Sequence, residues 1–357
     1  MGQGRARSRS GGNVVKGLVF LGDRRLGFID VADPAPSHGE VVVEIKASGM
    51  CGSDLHPFRA AHDPAIPIES RFIGGHEPAG VVVAVGPGVP RHVAKEGDRV
   101  MVHHYHGCSV CAHCRTGWPQ LCQPATRKVY SMNAHGAHAP YMTVPASTLV
   151  PLHDALSFEA GAAIACGTGT AWGALERLKM GGDETIAVFG QGPVGLSATL
   201  LAAARGARVI AIDLDSDRLA LGTSFGADAV INARDHDPAQ ALRELTGDKG
   251  VEMVVETSGS PQAAAAGLAA VATWGKLCMV GIGATLNLDL RALLDRQVTV
   301  MTSYSMSSVG QQDCADFVVE RKLDVDRLFT HRWRLDQAEE AYRVFDAQAS
   351  GKGAFVF

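Results

Sequence analysis

The sequence predicts an α/β protein in two parts, a partly open barrel-like domain of short strands and a doubly wound parallel sheet. Three observations predict it. Up to about residue 165 the chain carries short valine-laden runs, such as EVVVEIKASG (40–49) and AGVVVAVG (79–86), separated by Gly and Pro. From about 168 to 303 strand-like runs alternate with helical patterns: TIAVF, ARVIAID, DAVIN, VEMVVET, GKLCMVG and VTVMTSY read as a parallel sheet covered on both faces. Between the first two of these runs lies the Gly-rich turn GQGPVG (190–195).

With 357 residues and 46% hydrophobic content, the chain can bury substantial cores and holds about two domains. The opening MGQGRARSRSGGN, residues 1–13, has three arginines among glycines and serines, a composition that suits a nucleic-acid arm or a solvated tail; the tail is the reading adopted. Acidic residues (37) outnumber basic ones (33), so no global positive field draws DNA or acidic membranes to this chain. The apolar stretches are broken by Gly, Ser, Thr and Pro and read as core, not as membrane spans. Eight cysteines in a chain of this length, with no charged-then-apolar leader, fit a reducing, cytoplasmic setting.

The turn is best read in context. A lone GxGxxG is weak, but this one follows the run Thr185 to Phe189, opens an Ala/Leu-rich helix, and is answered by Asp213 at the end of the next strand. Glycines at 190, 192 and 195 let the backbone approach a pyrophosphate, and the helix that begins with Pro193 and Val194 offers unpaired N–H groups. Asp213 would accept hydrogen bonds from ribose hydroxyls and repel a 2′-phosphate, favouring NAD over NADP. The alternative is a tight strand-to-helix turn in some other doubly wound domain.

Four of the eight cysteines fall within HHYHGCSVCAHCRTGWPQLC (103–122). Cys108, Cys111, Cys114 and Cys122 are spaced x2, x2 and x7, so a short lobe, about 103–123, can bring four thiolates around one zinc with no open position. Two disulfides, or four thiols without a ligand, are the alternative. Chemistry needs an open site. ASGMCGSDLHPF supplies Cys51, Ser53, Asp54 and His56; FIGGHEPAG supplies His76 and Glu77; AAIACGTGT supplies Cys166. Cys51, His76 and Cys166 would leave a zinc ion its fourth position and its Lewis acidity. Each alone is weak evidence, since a buried Cys is more often inert core and a lone His more often a satisfied polar group.

The order CGSDxH, GHE, EGDRV (96–100), the four-cysteine lobe, CGTGT and GxGxxG resembles the zinc-dependent alcohol dehydrogenases of the medium-chain dehydrogenase/reductase superfamily, across nearly the whole chain after the tail. The resemblance implies a GroES-like catalytic domain, 14–167 and 304–357, and a Rossmann coenzyme domain, 168–303, with a helix (DQAEEAYRVFDAQ) and a last strand (GKGAFVF) returning to the first. It implies two zinc ions per chain: a structural ion in the lobe, and a catalytic one on Cys51, His76 and Cys166, with Asp54 and Glu77 close to the metal. Ser53 and His56 would begin and end a proton relay that passes the nicotinamide ribose. Thr170, Gly190, Gly192, Pro193, Val194, Gly195, Asp213, Arg218 and Val280 would contact the coenzyme, and Lys352 stands where a basic pyrophosphate contact is usual.

The implied reaction is reversible hydride transfer between an alcohol and NAD. By the same resemblance His104 and His138 fall at pocket-lining positions, with Phe58, Tyr105 and Tyr304 near; two imidazoles would favour a secondary alcohol or polyol, though either could face away from the cleft. Primary alcohols and aldehydes come next, and a non-catalytic nucleotide-binding relative is the reading from another class. Family members pair through sheet edges as dimers or tetramers, and DRQVTVMTSYS (295–305) is the apolar segment for such an edge.

Overall fold

The computed structural model describes residues 14–123, 125–347 and 351–357; the expectation of a tail at 1–13 lies outside them. Six strands form one wholly parallel sheet in the spatial order 229–232, 208–213, 185–189, 251–256, 271–279, 299–302. This is the doubly wound order in which the connection reverses beside the first strand, opening a crevice at the carboxyl ends. Both faces are covered. Along Thr185–Phe189 the side chains alternate, Ile186 and Val188 packing with the helix Pro193–Ala204, and Ala187 and Phe189 with Leu242, Val254 and Leu268 on the other side. The unbroken apolar run TIAVF therefore has a physical cause: a strand buried on two faces has no polar side to alternate with.

The second sheet is mixed and seven-stranded. Its path runs 329–333, 352–356, 40–49, 77–85, 99–102, 149–151, with 141–145 paired to the other side of 40–49. A separate hairpin, Val14–Gly22 with Arg25–Ala32, packs beside it. The chain reaches this sheet first, leaves it for the parallel sheet, and comes back: Lys352–Val356 pairs antiparallel with the strand Glu40–Gly49. The returning segment holds more than the expected helix and strand. A helix, Ser308–Glu320, and a strand, Phe329–Trp333, precede them, and HRW gives no alternating apolar pattern by which the strand could be read.

His138 is where the sequence reading fails. It is wholly buried, and both ring nitrogens are engaged, Nδ1 with Ser48 Oγ at 2.8 Å and Nε2 with the Tyr342 hydroxyl at 2.7 Å. No ring atom is left for a substrate, so His138 does not line a pocket; burial pushes its pKa down to about 4, and it is neutral. Phe58 belongs to the same core, 5.3 Å from the Tyr342 ring, rather than to a cleft. Removing the hydroxyl in Tyr342→Phe leaves His138 Nε2 unpaired in apolar surroundings. The unfolding free energy is expected to fall by about 1–3 kcal/mol, read from the denaturant midpoint at unchanged m-value.

Candidate active site

Strand register builds the site. Gly49 pairs with Glu77 and Ser48 with Pro78, so the end of one strand lies opposite the start of the next, and Cys51 and His76 meet just beyond the pairing. Glycine is required at 49 because the Glu77 carboxylate lies where a Cβ would stand. Cys166 arrives from elsewhere, at the kink between the helices Phe158–Ala165 and Gly167–Leu178. Its Sγ is 4.0 Å from that of Cys51, and ligand atoms of Cys51, His76, Glu77 and Cys166 all lie within 4.8 Å of one another.

This donor set fits a zinc ion. Two zinc–sulfur bonds of about 2.3 Å at a tetrahedral angle separate their sulfurs by about 3.8 Å, close to the spacing seen. His76 directs Nδ1 to Asp54 Oδ1 at 3.1 Å, which fixes that nitrogen as the donor and leaves Nε2 facing the thiols. Asp54 is itself anchored, accepting the Cys51 amide at 2.9 Å. Ser53 Oγ lies 3.2 Å from Cys51 Sγ and 3.1 Å from His76 Nε2. The hydrogen bond from Cys166, and then the His76 charge working against burial, hold the Cys51 thiol well below its usual range, whereas the same contact and burial push Cys166 well above it. His56 is exposed on the short helix Leu55–Arg59 that follows.

Glu77 is buried, and burial pushes its carboxyl up to about 8, opposed chiefly by the charge of Lys352. Lys352 forms an ion pair with it and donates to the Met50 carbonyl at 3.0 Å. Lys352 was expected at the pyrophosphate, yet only 2% of it is exposed, and its ammonium is committed to the metal cluster. Gly167 marks how near the two regions are: a Cβ there would meet Lys352 Nζ at 3.8 Å, Glu77 Oε1 at 4.0 Å and Val194 Cγ2 at 4.0 Å.

Val194 belongs to the glycine turn. Gly190 adopts a φ of +86°, and a Cβ on Gly195 would run into the Gly190 carbonyl, so both need glycine. At Gly192 a Cβ meets nothing within 4 Å; the backbone faces open space. Gly192 supplies no side-chain cap to the helix Pro193–Ala204, whose first amides point into that space, an arrangement that fits a pyrophosphate. Asp213, at the carboxyl end of the adjacent strand, accepts the Gln191 amide at 2.6 Å and the Leu214 and Asp215 amides at 2.7 and 3.0 Å. Arg218 follows in the helix Ser216–Ser224, its amide capped by Asp215 at 3.0 Å, and Val280 stands at the end of the strand Val271–Met279. Thr170 lies one turn after Cys166, its amide on the Cys166 carbonyl at 2.7 Å. The sequence reading missed Gln191, whose amide group donates to Val188 O at 3.1 Å and accepts from Thr199 at 3.0 Å, and Glu256, which accepts the amides of Ser258 and Gly259 at 2.7 and 3.0 Å. Glu256 had one signal, an acidic residue closing the apolar run VEMVVE.

Over the metal cluster lies a histidine and two tyrosines. His104 donates Nδ1–H to the Ala165 carbonyl at 2.9 Å, and its ring centroid is 5.2 Å from that of His76. Tyr105 is 4.2 Å from His104, and Tyr304 is 5.8 Å from Tyr105. The lobe stands behind them. Its four ligand sulfurs also lie within 4.8 Å of one another, each of three sulfurs accepting a backbone amide: Cys122 from Cys108 at 3.3 Å, Cys108 from Cys111 at 3.4 Å and Cys111 from Cys114 at 3.5 Å. Amide donors to sulfur favour thiolate, the form that binds metal.

Known proteins carry the same architecture. Residues 37–154 match the alcohol dehydrogenase GroES-like domain, and residues 193–321 the zinc-binding dehydrogenase family. A zinc-type alcohol dehydrogenase-like protein of Escherichia coli K12, YphC, is 35% identical over 94% of this chain and 97% of its own length. The chain belongs to the zinc-dependent alcohol dehydrogenase family. It is an oxidoreductase acting on alcohols. Sorbitol dehydrogenase of Bacillus subtilis is 31% identical over 92% of each chain. Among solved structures, the alcohol dehydrogenase TADH of Thermus sp. ATN1 superimposes with a TM-score of 0.86 at 29% identity, covering 96% of this chain and 99% of that one.

The Glu77–Lys352 pair gives a direct test. Lys352→Met removes the counter-charge that opposes the burial of Glu77, leaves that carboxyl to take up a proton, and is expected to cost up to about 3–5 kcal/mol of stability, while the double variant with Glu77→Gln recovers most of that loss. Thermal denaturation of the two single variants and the double variant measures the coupling.

Proposed function

We propose that this dehydrogenase interconverts a secondary alcohol or polyol with its ketone, using NAD in preference to NADP, with one zinc ion held by Cys51, His76 and Cys166 and another by the lobe cysteines 108, 111, 114 and 122. The observation that carries the reading is the convergence at Gly167, where a Cβ would lie 4.0 Å from Glu77 Oε1 of the donor cluster and 4.0 Å from Val194 Cγ2 of the glycine turn. The zinc ion, when bound, supplies Lewis acidity that lowers the pKa of a coordinated hydroxyl, as it lowers that of water from about 16 to about 7. The dinucleotide supplies the hydride acceptor.

The chain's own groups do the rest. Ser53 Oγ, beside Cys51 and His76, is positioned to take the hydroxyl proton, and the exposed imidazole of His56 is the group that exchanges it with solvent. Asp54 holds the His76 ring in its orientation. His104, with Nδ1–H committed to Ala165 O, leaves Nε2 as the acceptor for a second substrate hydroxyl, and this supports the polyol reading. Relatives described as sorbitol dehydrogenase, D-arabitol-phosphate dehydrogenase and L-idonate 5-dehydrogenase support it too. Asp213, fixed by three amides, is the acceptor for ribose hydroxyls and disfavours a 2′-phosphate, which favours NAD. The coenzyme domain, 168–303, presents the strand Thr299–Thr302 as a sheet edge, with Leu290 and Leu294 exposed near it in sequence; we infer pairing there into a homo-oligomer, a dimer or tetramer.

Three measurements test this. Metal analysis is expected to return two zinc ions per chain, with Cys51→Ala or His76→Ala losing one of them and Cys108→Ser the other. The same Cys51 and His76 variants are expected to lose turnover by at least about a thousandfold on a panel of primary, secondary and sugar alcohols and threonine, while NADH affinity by fluorescence stays within about twofold. Wild-type rates in them would sink the metal role. Asp213→Gly is expected to lower the NAD-over-NADP ratio of kcat/KM by about tenfold or more.

A further inference from the structure

Besides the chain itself at His104 and Tyr105, the lobe reaches the pocket through residues 303–307, which carry the chain from the strand Thr299–Thr302 to the helix Ser308–Glu320. Gln120, in the turn Pro119–Leu121 of the lobe, is wholly buried. Its side-chain amide donates to the Met306 carbonyl at 2.7 Å and reaches the Tyr304 carbonyl at 3.4 Å. The Gly117 carbonyl accepts the Ser308 amide at 2.8 Å, and His103, at the lobe's entrance, bonds Gln311 of the following helix at 2.9 Å. From the other side the segment is gripped by the helix Gly167–Leu178. Met306 fills the space beside Gly169, where a Cβ would meet its Cε at 2.6 Å, and the Ser305 carbonyl lies against Gly173 at 2.5 Å from the same construction. Between these walls Ser305 adopts a φ of +59°, a conformation that costs a non-glycine residue about 1 kcal/mol or more unless its surroundings impose it.

The segment leads to the reacting atoms by two routes. The helix that grips it begins at Cys166, and Tyr304 packs on Tyr105, Tyr105 on His104, and His104 on His76. We propose that the four-cysteine lobe is a positioning device for the substrate pocket, with Gln120 as the residue through which it acts on Tyr304. The lobe has a wider role than stapling a loop: it fixes the carbonyls of residues 304 and 306, and with them the half-exposed Tyr304 ring, which packs on Tyr105 beside His104. This rests on the alcohol-oxidation reading above.

The test is a kinetic double-mutant cycle with an independent structural readout. Gln120→Met keeps the side chain's length and removes both amide donors. It is expected to lower kcat/KM for the best alcohol at least about fivefold, mainly through KM, because a displacement of the order of 1 Å in a positioning group costs up to about a hundredfold. NADH affinity is expected to change less than about twofold. Amide hydrogen exchange across 303–308 is expected to speed up. In a Tyr304→Leu background the same substitution should have no further kinetic effect, since both act by one route. An equal loss in both backgrounds, or wild-type kinetics in Gln120→Met, overturns the proposal. Should Gln120→Met not fold, Gln120→Asn, which retracts the amide by one methylene, is read by the same criteria. If the wild-type chain turns over no alcohol on the panel, the functional reading fails instead, and the exchange rates of 303–308 still decide whether Gln120 orders that segment.

Discussion

The site depends on one pairing, the antiparallel contact of Glu40–Gly49 with Glu77–Val85. It brings two turns with no sequence relation to a common point and buries Glu77 between them, where Lys352 from the last strand neutralises it. A buried ion pair is a costly way to gain stability, because desolvation consumes most of the Coulomb attraction. Here the pair lies among two thiols and an imidazole, so what it contributes is a fixed local field and a fixed end to the chain, since the strand Lys352–Val356 cannot leave without removing the charge that balances Glu77.

The helix Gly167–Leu178 transmits that arrangement to the other half of the molecule. Its first residues follow Cys166, its buried face packs on the helix Pro193–Ala204 through a hydrogen bond of 2.9 Å between Thr168 and Ser197, and its glycines admit the crossover segment. The candidate donor cluster and the glycine turn are thus connected through this one helix. The open crevice at the carboxyl ends of the parallel strands is the ligand location this topology favours.

Buried polar groups divide by whether their bonding is complete. His138 has both nitrogens paired inside the protein and is a structural residue. His104 has one nitrogen tied to a backbone carbonyl and no hydrogen-bond partner for the other among the described residues, and it is the histidine proposed above to bind substrate. The two histidines look alike in the sequence, each flanked by small or aromatic residues, and only the count of satisfied ring atoms separates them. Lys352 is a similar case. A lysine near the end of a short strand reads as a surface phosphate contact until the strand's neighbours are known, and then it is seen to be enclosed.

Local chemistry was legible because it is written in short spacings. The turn GQGPVG after an apolar run, the four cysteines within fifteen residues, and Cys51 with Ser53 and Asp54 each depend on backbone geometry over a few residues, and so do the strands buried on both faces. What the sequence by itself determined is therefore the class of each sheet, the dinucleotide turn and the candidate donors. The grouping of Cys51 with Cys166, 115 residues apart, was already expected; the tertiary structure alone decided the capture of Lys352 by Glu77, the withdrawal of His138 into the core, and the bond from Gln120 to residue 306. Those contacts are set by strand register and by the chain's return to its first sheet, and no local pattern encodes a partner more than a hundred residues away.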